Sequence, residues 1–100
     1  MIGRIARYIE LPMHYVYLLR MNNSEIYTGS TGDLRRRILE HKKGGVASTK
    51  HKLPAKLILY EAYVLKSDAE RREKYLKTTE GKRFLRQQIR DYLKLKHLGS

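Results

Sequence analysis

The most constraining feature of this chain is the stretch from residue 15 to residue 41, Y-V-Y-L-L-R-M-N-N-S-E-I-Y-T-G-S-T-G-D-L-R-R-R-I-L-E-H. His14–Arg20 alternates and is rich in Tyr, Val and Leu, which specifies a strand. Asn22-Asn23-Ser24 is turn chemistry, because Asn tolerates left-handed backbone. Glu25–Thr28 resumes as a strand, so the two halves form a hairpin. Gly29 through Gly32 re-aims the chain into a helix from about Asp33 to Lys43, which stops at Gly44-Gly45. Ser30 or Thr31 is available to cap it and Asp33 suits its first turn. Helical spacing puts Arg37 and His41 on the face that carries Leu34 and Ile38. Burying a guanidinium and an imidazole unpaired is costly, so that face is expected to line a cleft.

The remaining elements follow the same periodicities. Leu57–Val64 (LILYEAYV) is apolar enough to be the central strand of its sheet. Ser67-Asp68-Ala69-Glu70 has the form of a capping box and opens a helix that runs to about Lys77. Gly81 stands near the start of a last helix, with an apolar stripe of Leu85, Ile89, Tyr92 and Leu93. The predicted order is β-β-α-β-α-α: a small three-stranded, mainly antiparallel sheet flanked by helices, class α+β. Residues 1–12 read as an N-terminal extension with Ile2, Ile5 and Ile9 at roughly helical spacing. Residues 13–96 read as one domain, and 97–100 as a frayed tail.

Charge narrows the partner. The chain has 22 Lys and Arg against 10 Asp and Glu, a net charge of +12. About half of that excess falls between residues 33 and 56. A field of this sign attracts polyanions, so nucleic acid is the expected partner. The chain lacks cysteine, which excludes disulfides and thiolate metal sites. No apolar run approaches the roughly 20 residues needed to cross a bilayer, and residues 1–12 lack the form of a signal peptide. A cytoplasmic protein without membrane association is expected.

Three motifs in order carry a family resemblance. Tyr15-Val16-Tyr17, followed about ten residues on by Tyr27-Thr28-Gly29, resembles the paired motif of the GIY-YIG nuclease superfamily. Asp33-Leu34-x-x-Arg37-x-x-x-His41 resembles the helix that follows in that family, and Ser67-x-Ala69-x-x-x-Glu73-Lys74-x-Leu76-Lys77 its glutamate helix. The likeness covers roughly residues 14–90 and is nearest to small single-domain bacterial members, which are similar to the nuclease domain of bacterial excinuclease. Tyr15 stands where the family name has glycine, and Thr28 where it has isoleucine.

The resemblance implies a metal-dependent endonuclease. Glu73 would bind magnesium or manganese, and Arg37 would stabilise charge on the scissile phosphate. Tyr17 and Tyr27 would point their hydroxyls into the site, one of them managing the water. The products would carry a 5′-phosphate and a 3′-hydroxyl. The expected substrate is DNA rather than RNA, with a place in DNA repair or processing.

The residues themselves support that chemistry but leave alternatives open. Arg37 can grip phosphate in bidentate fashion or pair with Asp33. Glu73 faces inward beside Ala69 and Leu76, and hard cations accept a single carboxylate while keeping their waters; it also fits a glutamate paired with Lys77 or Arg72. His41 can bind a phosphate, orient a tyrosine, move a proton, or simply pack. A phenol with its pKa near 10 is a poor base unless cations lower it, which Arg37 and its basic neighbours would do. Gly29, Ser30, Thr31, Arg35, Arg36, Ser48, Thr49 and Lys50 are candidates to line the substrate groove. His14, His51 and His97 carry no assignment. The alternative function is a nucleic-acid-binding module of the same fold with little or no cleavage of its own.

Overall fold

The structure, a computed structural model, describes residues 12–99, with side chains up to Leu95. The expected turn of helix in the N-terminal extension lies outside the described residues. Three strands, β1 (His14–Arg20), β2 (Ile26–Thr31) and β3 (Lys56–Tyr63), form one antiparallel sheet in the order β2-β1-β3. Helix α1 (Leu34–Lys42) follows β2, and a short 3₁₀ turn (Lys50–Lys52) precedes β3. Three helices complete the chain: α2 (Lys66–Leu76), α3 (Thr79–Gln88) and α4 (Arg90–Gly99). The α+β class and the order of elements match the expectation. The predicted last helix is broken at Ile89 into α3 and α4, and the backbone of the expected tail is helical through Gly99.

The central strand is β1, not β3. Val16, Tyr17, Leu18 and Leu19 are all buried. Alternate side chains of β1 enter two separate cores, as the pleat dictates. Val16 and Leu18 pack with Ala69 and Leu76 of α2 and Leu85 of α3. Tyr17 and Leu19 pack with Leu34 and Ile38 of α1 and with Leu53, Ala55 and Leu57. β3 is instead an edge strand whose Tyr60 is exposed. Its apolar run misleads because Tyr60 and Glu61 carry polar groups that an edge can leave near water.

Local chemistry differs in detail from the expected caps. In the hairpin loop it is Ser24 that adopts the left-handed conformation (φ 70°). Asn23 accepts from the Glu25 N–H at 3.0 Å, and Asn22 donates to the Leu53 carbonyl at 2.7 Å. Asp33 is the N-cap of α1, accepting from the Arg36 N–H at 3.1 Å. Thr31 accepts from the Asp33 N–H one step earlier, at 3.1 Å. The capping box at Ser67 does not form. α2 begins at Lys66 with Leu65 at its cap position, so Ser67 is already inside the first turn. Asp68 pairs there with Arg71 at 2.9 Å. Gly44, at φ 78°, ends the α1 segment, its N–H donating to the His41 carbonyl at 3.0 Å.

The α2–α3 corner leaves no room for a side chain at Gly81. Thr78 caps α3 by accepting from the Gly81 N–H at 3.0 Å. A Cβ on Gly81 would lie 1.9 Å from the Tyr75 carbonyl oxygen, a backbone atom that cannot swing away. Gly81→Ala is therefore expected to cost about 1–3 kcal/mol, the range for overpacking, as a lower urea midpoint. An unchanged midpoint would contradict this packing.

Candidate active site

On the α1 face of the sheet, five of the residues singled out in the sequence come together. The Tyr17 hydroxyl lies 2.7 Å from His41 Nε2, and His41 Nδ1 lies 2.8 Å from Thr49 Oγ1. The Tyr27 ring stands 6.2 Å from Tyr17 and 5.1 Å from His41, between centroids. The Arg37 guanidinium lies beside the Tyr17 hydroxyl and reaches Glu40 at 3.4 Å. β1 and β2 supply the tyrosines, α1 supplies Arg37 and His41 one turn apart, and the following loop supplies Thr49.

The protons in this chain can be placed. Thr49 has one hydroxyl proton, directed at the Val46 carbonyl, 3.5 Å away. Its oxygen therefore accepts from His41 Nδ1–H, which leaves Nε2 to accept from the Tyr17 O–H. The pKa of His41 is lowered, by burial first and then by the Arg37 charge, so the imidazole is neutral at physiological pH, as an acceptor must be.

Two expectations about these groups change. Tyr17 is 1% exposed, and burial pushes its pKa up to about 12, although the Arg37 beside it pulls the other way. The desolvation of a phenolate outweighs one cation here. His41 is wholly buried, so direct contact with a phosphate is not open to it; orienting Tyr17 and receiving its proton are. The face expected to line a cleft is thus sealed at His41, while Arg37 on it is about a third exposed.

Gly29 serves this packing. It is the register partner of Tyr17, and a Cβ on it would lie 2.5 Å from the Tyr17 hydroxyl. The close approach it permits is that of the tyrosine, on the α1 face.

Glu73 lies on the other face. It projects from α2 and accepts from Ser30 Oγ at 2.7 Å, and pairs with Lys77 at 3.0 Å. Ser30 is the register partner of Val16, so its side chain is on the α2 side, opposite to Gly29. Tyrosine group and carboxylate therefore meet at adjacent residues of one edge strand, from its two faces. Burial raises the pKa of Glu73, but the Ser30 and Lys77 donors outweigh it, and the pKa lies below the ordinary value. An ionised carboxylate that is 20% exposed, held by a movable lysine and a hydroxyl, suits a cation that needs one protein ligand and keeps its waters. Among the described residues no cluster of three or more His, Asp or Glu side chains could hold a metal. Arg72, the alternative partner of Glu73, is committed to Glu61 of β3 at 3.0 and 3.2 Å.

Several groove candidates are occupied structurally. Thr31 and Thr49 are buried, and Ser30 is bound to Glu73. Arg36 pairs with Asp33 and Glu40, so Asp33 is not the partner of Arg37. Arg35, Ser48 and Lys50 are exposed and remain available. Ser48 and Thr49 line a small cavity of about 80 Å³ beside Tyr27. Sequence reasoning missed two contacts. Thr49 orients His41 across a loop, where no periodicity signals the pairing. His14 stands near enough to Glu73 to help lower its pKa, as the smallest of the causes, and its strand parity with Val16 places it on that face.

Comparison with known proteins agrees with the motifs. The family described as the GIY-YIG catalytic domain matches residues 13–87, and this chain belongs to that family. It is 37% identical over 69 residues to the UPF0213 protein SERP0126 of Staphylococcus epidermidis, covering 68% of this chain and 84% of that one. It is 39% identical over 66 residues to the UPF0213 protein CPE1444 of Clostridium perfringens, covering 65% and 71%. The solution NMR structure of the UPF0213 protein BH0048 of Bacillus halodurans is 36% identical, with 73% and 81% covered and a TM-score of 0.48.

Two outcomes are expected from this geometry. Thr49→Val strands the buried His41 Nδ1–H and should cost about 1–3 kcal/mol in chemical denaturation, with Thr49→Ser restoring most of it. For pH, a neutral histidine with a depressed pKa means that the unfolded chain takes up a proton near the ordinary value of 6.5 while the folded chain does not. Stability should then fall as pH drops from 7 through 6. His41→Gln should flatten that slope in urea titrations, and an equal slope in both proteins would refute the assignment.

Proposed function

We propose that this protein is a divalent-cation-dependent endonuclease that hydrolyses DNA phosphodiesters, with a role in DNA repair or processing. The observation that carries the reading is the convergence of Tyr17, Tyr27, Arg37 and His41 against Gly29, with the ionised Glu73 of α2 bound to Ser30, the next residue of that strand, from the other face. Family membership and a net charge of +12 support it.

Tyr27, the less buried tyrosine, orients the attacking water. The proton of that water leaves through the tyrosine hydroxyls, each passing on its own, and comes to rest on His41 Nε2. No phenolate is needed, which suits a Tyr17 whose pKa is about 12. Oxygen attacks phosphorus in line, the bond from phosphorus to the 3′ oxygen breaks, and that oxygen takes a proton from solvent, so the products carry a 5′-phosphate and a 3′-hydroxyl. Arg37 is free on one side to neutralise the phosphoryl oxygens. Glu73 would hold a magnesium or manganese ion, which supplies charge neutralisation at the phosphate and the leaving oxygen. Arg35, Ser48 and Lys50 would contact flanking phosphates without reading sequence.

A binding module with little cleavage of its own is the second reading. It is favoured by the hydrogen bonds that already engage both oxygens of Glu73. Nicking assays on plasmid, single-stranded and branched DNA and on RNA, with magnesium, manganese or EDTA, separate the two. Arg37→Ala and Glu73→Gln should each slow cleavage by about 10²-fold or more. Activity that survives either substitution would sink the nuclease assignment. Tight binding without any nicking would establish the module instead.

A further inference from the structure

The α2 face carries a second feature that the proposed chemistry does not use. A cavity of about 340 Å³ opens between β2 and α3, with a floor of Ile26, Leu76, Leu85 and Leu93. Thr28, Lys82 and Arg86 stand around it. Lys82 and Arg86 are one helical turn apart on α3, are exposed, and make no ion pair among the described residues. Glu25 also borders the cavity, but Lys52 holds it at 2.8 Å, so it does not neutralise them.

We propose that this cavity is a subsite for one unpaired nucleotide of the strand that is cut, next to the position at Glu73. The inference deepens the nuclease reading and rests on it for the place of the cut. An apolar floor under two free cations matches a nucleotide, with its ring against the leucines and its phosphate between Lys82 and Arg86. Thr28 and Ser30 share a face of β2, two residues apart, or about 7 Å along the strand. The cavity therefore lies one pleat from the carboxylate, on the same edge of the sheet. In a duplex the bases are stacked and paired, so only an unpaired base reaches such a floor. The substrate class that follows is single-stranded, flapped or branched nucleic acid.

NMR on the ¹⁵N-labelled full chain in EDTA tests this with two probes, a single-stranded DNA octamer and a blunt duplex. The octamer should shift the amides of Thr28, Leu85 and Arg86, and the duplex should shift them far less. Arg86→Glu should weaken octamer binding about tenfold and lower the salt slope by about 0.7 per lost contact. Arg83→Glu makes the same charge change on α3 outside the cavity lining and should cost less than threefold. Equal losses from Arg83→Glu and Arg86→Glu would overturn the subsite, leaving only a general basic field. So would octamer or duplex binding that leaves the cavity amides unmoved, equal shifts by both probes, or no octamer binding. Chemistry is silent in EDTA, so a failure to cleave in the nicking assay would remove the nuclease reading without touching this result.

Discussion

Burial of β1 on both faces is the constraint on which everything else in this protein depends. Val16 and Leu18 can be shielded from water only if α2 and α3 cover one side of the sheet. Tyr17 and Leu19 require α1 and the Leu53–Leu57 segment on the other. Because β1 also has a partner strand on each side, four consecutive residues lie inside the fold. Tyr17 is one of them, so its phenol is fixed by packing as much as by hydrogen bonds. The cost of burying its hydroxyl is offset by His41, and that of His41 in turn by Thr49. No buried side-chain polar atom among the described residues is left without a partner.

This arrangement separates two tasks that the sequence left merged. The inner pair, Tyr17 and His41, is buried and neutral, and in the proposed reaction it would set orientation and hold a proton. The outer groups, Tyr27, Arg37 and Glu73, are partly open and meet the solvent. A conventional general base would have to ionise near neutral pH, which burial opposes. The relay proposed above, neutral hydroxyls ending on an imidazole, would avoid that difficulty, because no group carries an isolated buried charge at rest.

Much of this was legible in the sequence. Strand alternation placed the hairpin, and helical spacing put Arg37 and His41 on one face with Leu34 and Ile38. The three motifs together led to the family. What failed was information that lives outside any one segment. The apolar run of β3 suggested a central strand, yet sheet order depends on which strand both helix layers can cover. Ser67 looked like a cap, but α2 starts at Lys66, where covering Val16 and Leu18 sets its position. Thr49 reads as an ordinary loop residue, because its partner lies eight positions back across a turn. The direction of the Tyr17 pKa could not be read either, since it depends on how completely the ring is enclosed.

Helix α2 behaves as a crossbar. Arg72 grips Glu61 on one edge strand by two bonds, and the neighbouring Glu73 takes Ser30 on the opposite edge. Adjacent residues of one helix thus span the whole sheet through β1. The tyrosines, Arg37 and His41 all come from a contiguous first half of the chain and are assembled by near-neighbour contacts. The carboxylate comes from α2, beyond β3 in the chain, and approaches them only across β2, through Ser30. The place of Glu73 at Ser30 is therefore fixed from the far edge of the sheet, by the grip of Arg72 on Glu61.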